Sequence, residues 1–201
     1  MSNSRADIEV SKTISYLLRH GAQKEHLPMD ESGWVKMTDL LSNRQMSGIS
    51  QETICRIVAT NSKQRFTIEG DGQDMKIRAN QGHSIDVKVD MKKIETPEDY
   101  PIVIHGTYLK NISEILKKGL LKMGRLHVHM AKALPQHIGK QMSGMRSNCQ
   151  LVIYVDIKKA MGDGLVFYES SNGVVLCEGP IDKKYFQKIV KYPSLENYQF
   201  N

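Results

Sequence analysis

Apolar residues recur at helical spacing in two stretches of the first half of the chain. Ile14, Leu17 and Leu18 follow Ser11, and Ile54, Ile57 and Val58 follow Ser50, a residue suited to cap a helix N-terminus. Each pattern predicts an amphipathic helix with one buried face. Between them, Thr38-Asp39-Leu40-Leu41 predicts a shorter helix. Further along, Arg65-Phe66-Thr67-Ile68-Glu69 and Met75-Lys76-Ile77-Arg78-Ala79 flank Gly70-Asp71-Gly72, which predicts a β-hairpin. Helices followed by a hairpin suggest a winged helix, and Trp34, after Gly33 in a turn-like stretch, is expected to pack against its core.

The second half alternates short β-like runs with helical ones. Ile102-Val103-Ile104 is followed by a helical segment over residues 112–118 closed by Gly119, then by β-like runs at 126–130, 151–156, 165–168 and 173–177. This reads as a mixed α+β or α/β domain with a compact, strongly curved sheet. The change of composition in Met91-Lys92-Lys93-Ile94-Glu95-Thr96-Pro97-Glu98-Asp99-Tyr100-Pro101 marks a linker. Two domains follow, residues 1–92 and 101–201. Internal repeats, low-complexity runs and heptads are missing.

With 201 residues, 40% hydrophobic and 25% charged, the composition is that of a folded globular protein, not a disordered chain or a stapled mini-protein. No apolar run approaches the roughly 20 residues needed to span a bilayer, and Asp7 and Glu9 stand where a signal peptide needs a basic, then apolar, stretch. A soluble intracellular protein, cytoplasmic or nuclear, is expected. Cys55, Cys149 and Cys177 are scattered with no C-x-x-C pair, so neither a disulfide framework nor a zinc site follows.

Charge separates the halves. Residues 1–99 hold 14 Lys+Arg against 15 Asp+Glu, net −1, whereas residues 100–160 hold 10 Lys+Arg against 2 acids, net +8. Four of the seven histidines also lie in the second half, so a field attractive to phosphates is expected there. A solvated lysine-rich surface would give the same count.

Several polar clusters could carry chemistry. Arg19-His20 precedes Gly21, which reads as a helix C-cap, where the two cations either complement the helix dipole or project toward an anion. Lys63-Gln64-Arg65 opens the hairpin, and Asn80-Gln81-Gly82-His83-Ser84 follows it as either a plain loop or a phosphate-facing one. His105-Gly106-Thr107 ends an apolar strand, where glycine allows close backbone approach and histidine can donate to a ribose hydroxyl. His127-Val128-His129 has a spacing seen in metal sites, but no carboxylate or cysteine cluster accompanies it, so no metal is expected. Ser143-Gly144-Met145-Arg146-Ser147 is a flexible loop presenting one arginine, and neither a dinucleotide-binding glycine fingerprint nor a P-loop is present.

In order along the chain, these segments resemble one family closely. The marks are Ser11-Lys12 with Ser15-Tyr16-Leu17-Leu18-Arg19-His20, Lys63-Gln64-Arg65-Phe66, Ile77-Arg78-Ala79-Asn80-Gln81-Gly82-His83-Ser84, His105-Gly106-Thr107, His127-Val128-His129, Ser143-Gly144-Met145-Arg146 and Ser171-Asn172-Gly173-Val174-Val175-Leu176. The family is the NAD-dependent RNA 2′-phosphotransferases, which finish tRNA splicing. The resemblance implies an α+β chain: an N-terminal winged-helix lobe binding RNA and phosphate, and a C-terminal ADP-ribosyltransferase-like lobe binding NAD⁺. It also implies a reaction in two steps with NAD⁺ consumed. The RNA 2′-phosphate attacks C1″ of the nicotinamide ribose and expels nicotinamide; the ribose 2″-hydroxyl then attacks phosphorus, releasing 2′-hydroxyl RNA and ADP-ribose 1″,2″-cyclic phosphate.

Carried over by motif, the family's Arg-His-Arg-Arg catalytic set falls on Arg19, His20, Arg65 and Arg146. Arg19 and His20 would clamp the 2′-phosphate, and Arg65 and Arg146 would serve the second step, with Lys63, Asn80 and His83 as substrate-binding residues. His105 would contact the nicotinamide-side ribose, Gly106 the nicotinamide amide through its backbone, and His129 the same pocket, with Thr107 and Ser143 as further contacts. Protein-modifying ADP-ribosyltransferases carry an acidic residue where Asn172-Gly173-Val174-Val175 supplies valine here; a phosphate nucleophile is already ionised and needs no general base. Glu178 is the nearest acid downstream. The expected partner is RNA bearing a 2′-phosphate, bound by a monomer. Two other classes stand beside this one: a mono-ADP-ribosyltransferase acting on protein or nucleic-acid ends, and a non-enzymatic winged-helix nucleic-acid-binding module.

Overall fold

The computed structural model describes residues 4–134, 143–145 and 148–199. The chain divides into two compact units, Met1–Asp90 and Met91–Asn201. Together they form a mixed α+β structure whose named strands all pair antiparallel.

In the first unit, helix α1 (Arg5–Tyr16) opens with a reciprocal cap, the Ser4 hydroxyl accepting from the Asp7 N–H and the Asp7 carboxylate accepting from the Ser4 N–H. Asp7 also receives two hydrogen bonds, 2.9 and 2.7 Å, from Arg56 on helix α3 (Gln51–Ala59), which ties the two helices together. Those bonds, aided by the Ser4 cap and opposed by burial, hold the Asp7 carboxyl at about 2. Ser50 caps α3 as its sequence predicts, accepting from Thr53 N–H. The short strand β1 (Val35–Lys36) leads into helix α2 (Met37–Ser42), and the hairpin is formed by β2 (Phe66–Glu69) and β3 (Lys76–Ala79). The sheet order is β1-β3-β2, so a two-residue strand with no sequence signal of its own completes it. Ile14, Leu17, Leu18, Leu40, Ile54 and Ile77 are fully buried at the centre, and Trp34 is buried at 8% exposure.

The expected C-cap at Gly21 is not one. The chain passes from α1 into a π-helical turn, Leu17–Gly21, and continues into Ala22 with right-handed backbone. Gly21 is small for a different reason: a Cβ there would lie 2.7 Å from the Tyr16 ring.

The second unit holds two sheets. Strands β4 (Met91–Lys93), β8 (Phe167–Ser170), β9 (Val175–Cys177) and β6 (Val128–Met130) make one, in the order β4-β8-β9-β6. Strands β10 (Phe186–Lys191), β7 (Leu151–Val155) and β5 (Ile104–Thr107) make the other, in the order β10-β7-β5. Phe167, Val175 and Met130 of the first sheet share a core with Leu151, Ile153 and Val155 of the second. The opposite face of the second sheet, through Ile104, Val152 and Val190, packs on Leu134, Met145 and Cys149. Helices α4 (Ile112–Lys118) and α5 (Ile157–Gly162) complete the unit.

The proposed linker therefore begins as structure. Met91-Lys92-Lys93 pairs with β8, an edge strand whose lysines face solvent and deter further strand addition, and Ile94 behind it is buried at 3%. The strand expected over residues 102–104 begins instead at Ile104 and carries His105 and Gly106 within it.

Gly119 does end α4, at φ +76°, and a Cβ there would sit 2.4 Å from the Ile181 carbonyl oxygen. Gly119→Ala should destabilise the protein by about 1–3 kcal/mol, because neither the backbone angle nor the contact can relax cheaply. A lowered thermal unfolding midpoint is the expected readout.

Candidate active site

The π turn presents Arg19 and His20 as consecutive side chains beyond two fully buried leucines. Such widened turns recur at functional sites, because they change the direction in which successive side chains leave the helix. Residues 82–84 run along this pair. The Ser84 N–H donates to the Arg19 carbonyl at 3.0 Å, and the Ser84 hydroxyl joins His20 Nδ1 at 2.9 Å. Gly82 has φ +90°, and a Cβ on it would lie 3.5 Å from Arg19 Cζ and Nη1, so the backbone lies directly against the guanidinium.

Lys63 and Arg65 sit on a tight turn built by two asparagines. Asn61 Oδ1 accepts from Lys63 N–H at 3.1 Å and from Arg65 Nη1 at 3.4 Å. Asn80 donates from Nδ2 to the Gln64 carbonyl at 2.7 Å and accepts from the Thr67 hydroxyl at 2.6 Å, while its N–H bonds the Arg65 carbonyl at 2.9 Å. Gln64 is held at φ +43° between them. Burial pulls both cations down: it lowers Arg65, and with the Arg65 charge beside it lowers Lys63. An anion arriving here relieves poorly solvated positive charge. Since Asn80 touches the Arg65 turn and Gly82 touches Arg19, residues 80–84 connect both groups of cations over a few residues of chain.

In the second unit, His105 of β5 and His129 of β6 are brought together by His105 Nδ1 against the His129 carbonyl at 2.9 Å. A carbonyl only accepts, so Nδ1 carries the proton, and in the neutral ring the lone pair sits on Nε2. With Nδ1 donating to the carbonyl, a neutral ring offers Nε2 as its acceptor. Thr107 and His129 are buried, at 5% and 9% exposure. Gly106 is required by packing, because a Cβ would come 2.6 Å from Met145 Cγ and 3.1 Å from Cys149 Sγ. Ser143 is half-buried beside Gly144, whose backbone lies against Met130 at the end of β6. Arg146 lies outside the described residues.

His127 stacks edge-on to Tyr168, with ring centroids 6.4 Å apart, and among the described residues no group of three or more His, Cys, Asp or Glu could hold a metal. Burial lowers His127, opposed by the charge of Glu178, which is exposed past the end of β9.

Three groups were not singled out as site residues in the sequence. Asn61 was legible only as an asparagine two residues ahead of Lys63, the spacing of an Asx turn. Glu169 on β8 accepts from Lys132 Nζ at 2.5 Å and from the Tyr100 hydroxyl, beside the backbone of Gly173. Burial and that bond push the Tyr100 phenol up to about 12. Arg78, buried at 9%, lies 4.5 Å over the Trp34 ring and 2.6 Å from Asp90 Oδ2.

The family model described as "RNA 2'-phosphotransferase, Tpt1 / KptA family" matches residues 5–179. The chain is 44% identical to the human tRNA 2'-phosphotransferase 1 over 193 residues, covering 92% of this chain and 76% of that protein. The Danio rerio protein of the same name is 43% identical over 178 residues, covering 86% and 79%. A probable RNA 2'-phosphotransferase of Acaryochloris marina is 36% identical over 182 residues, covering 90% and 96%. A match across so much of the chain places this protein in the RNA 2'-phosphotransferase (Tpt1/KptA) family.

Proposed function

We propose that this protein removes an internal 2′-phosphate from RNA, of the kind left at a tRNA splice junction, by transferring it to NAD⁺. The observation that carries the reading is the cation set of the first unit, Arg19, His20, Lys63 and Arg65, gathered on a π turn and an asparagine-braced turn by one connecting segment. The first unit is read as a winged-helix lobe and the second as an ADP-ribosyltransferase-like lobe.

Arg19 and His20 hold the dianionic phosphate, the guanidinium gripping two oxygens and the imidazole oriented by Ser84. His105 Nε2 accepts from a ribose hydroxyl, the backbone of Gly106 holds the amide, and Thr107, His129 and Ser143 line the same pocket. NAD⁺ supplies an electrophilic ribose carbon and nicotinamide as leaving group. In the first step a phosphate oxygen forms a bond to C1″ as the C1″–N bond breaks. In the second, the 2″-oxygen bonds to phosphorus, the bond from phosphorus to the RNA 2′-oxygen breaks, and the 2″-hydroxyl proton passes to that oxygen. Arg65, with Lys63 beside it, stabilises charge on the transferring phosphoryl group, a role shared by Arg146 on the family resemblance. Asn80 acts by shaping the Arg65 turn, since both ends of its side-chain amide are engaged there.

Incubation with a short RNA bearing one internal 2′-phosphate, with and without NAD⁺, tests this by product mass. NAD⁺-dependent appearance of 2′-hydroxyl RNA and ADP-ribose cyclic phosphate is expected. ADP-ribosylated RNA that never resolves would mean a transferase without the second step, and no reaction despite NAD⁺ binding would assign a different acceptor.

A further inference from the structure

We propose that Asn61 is a positioning residue for the second step: its carboxamide oxygen aims the Arg65 guanidinium and, being neutral, leaves that charge free for the transferring phosphoryl group. The proposal rests on the second-step role given to Arg65.

Asn61 stands just past the end of α3 and is buried, at 6% exposure. Its N–H donates to the Val58 carbonyl at 3.2 Å, which fastens it to the last turn of a helix whose Ile54 and Ile57 are fully buried. Its own carbonyl accepts from the Gln64 N–H at 2.9 Å, and Gln64, an exposed residue, takes φ +43° between the two cations. A left-handed backbone on a residue other than glycine is unfavourable and must be held by its surroundings. Here the holding bonds converge on Asn61 and Asn80. The Asn61 Oδ1 has two lone pairs, and two donors take them: Lys63 N–H at 3.1 Å and Arg65 Nη1 at 3.4 Å. Arg65 is therefore fixed at both ends, its carbonyl by the Asn80 N–H at 2.9 Å and its guanidinium by Asn61. A loose arginine side chain must give up rotamer freedom when it meets a phosphoryl group, whereas one already held does not.

The neutrality of the brace matters as much as its place. Arg44, Arg56 and Arg78 of the same unit lie against carboxylates, those of Glu25, Asp7 and Asp90. Among the described residues no carboxylate pairs with Arg65, and what acts on its charge is burial. A carboxamide directs a guanidinium without opposing its charge. A carboxylate in the same place would hold the group and neutralise it.

The test reads the Arg65 side chain by ¹⁵N NMR in the free protein, and then the two chemical steps in single turnover. The proteins compared are the unaltered one, Asn61→Ser, Asn61→Asp, Arg65→Ala and the Asn61→Ser/Arg65→Ala double variant. Serine keeps an oxygen for the Lys63 N–H, but that oxygen stands one bond short of Arg65. In the unaltered protein and in Asn61→Asp the guanidinium should be held enough to give separate Nη signals; in Asn61→Ser they should merge. Conversion of ADP-ribosylated RNA to 2′-hydroxyl RNA should slow by about ten- to a hundredfold in Asn61→Ser, which loses the aim, and in Asn61→Asp, which loses the charge. Nicotinamide release should continue in both. On the Arg65→Ala background Asn61→Ser should cost less than about twofold more, because Asn61 then has nothing to aim.

Merged Nη signals in the unaltered protein overturn the proposal, and no variant has to fold for that result. A serine substitution that costs as much without Arg65 as with it also overturns it, since a merely structural asparagine behaves that way. So does an Asn61→Asp variant that turns over at the unaltered rate. The NMR signals need neither RNA nor NAD⁺. Absence of any 2′-phosphate transfer would therefore count against the functional reading and leave the hold of Asn61 on Arg65 standing.

Discussion

Arg65→Ala should convert this enzyme into one that modifies its RNA and stops. Nicotinamide release should continue, while conversion to 2′-hydroxyl RNA falls by about 10²–10³, the usual consequence of deleting one preorganised group that meets developing charge. ADP-ribosylated RNA should therefore accumulate as a species of higher mass. In the proposed second step charge builds on phosphoryl oxygens, and a half-buried guanidinium held by Asn61 would meet it more strongly than a solvated one. Arg65→Lys should recover only part of the loss, because the ammonium cannot reproduce the planar fork. The same accumulation is expected for Arg146→Ala. Clean turnover by both alanine variants would remove these residues from the second step.

Arg19→Ala should fail earlier. In the role proposed for it, the Arg19 guanidinium holds the 2′-phosphate for attack, so without it RNA-dependent nicotinamide release and dephosphorylation should both fall, by about a hundredfold or more in kcat/KM. His20→Ala should behave alike, with a smaller loss in Ser84→Ala, which removes only the partner orienting the ring. NAD⁺ affinity, measured by calorimetry, should hardly change in any of the three. Activity that survives the loss of Arg19, His20 and Arg65 would identify a mono-ADP-ribosyltransferase with another acceptor.

Much of this was legible in local patterns. The α3 periodicity, the Ser50 cap, the Gly70-Asp71-Gly72 hairpin and the Gly119 stop are each set by a handful of neighbouring residues, and each is found where its spacing predicts, whereas Leu17 and Leu18 of the first pattern fall in the π turn beyond α1. Strand β1 and strand β4 were not legible. The first is two residues long and the second is polar, so each is held by its partner strand and not by its own composition. Gly21 misled for a related reason: the residue before a chain reversal and the residue beneath an aromatic ring are both glycine, and only packing on Tyr16 distinguishes them.

The sequence by itself determined which chemical groups this protein owns and in what order, because the helices, hairpin and arginine- and histidine-bearing motifs are short-range features read over a few residues. What each group does was decided by tertiary structure. Asn80 became a brace for the Arg65 turn, His105 Nδ1 became a partner of the His129 carbonyl, and His83 became an inward-facing ring that burial, ahead of Arg19, His20 and Arg78, lowers to about 4. Burial and electrostatic field are sums over neighbours that lie far apart along the chain. Sixty-four residues separate His20 from Ser84, and only folding makes them partners.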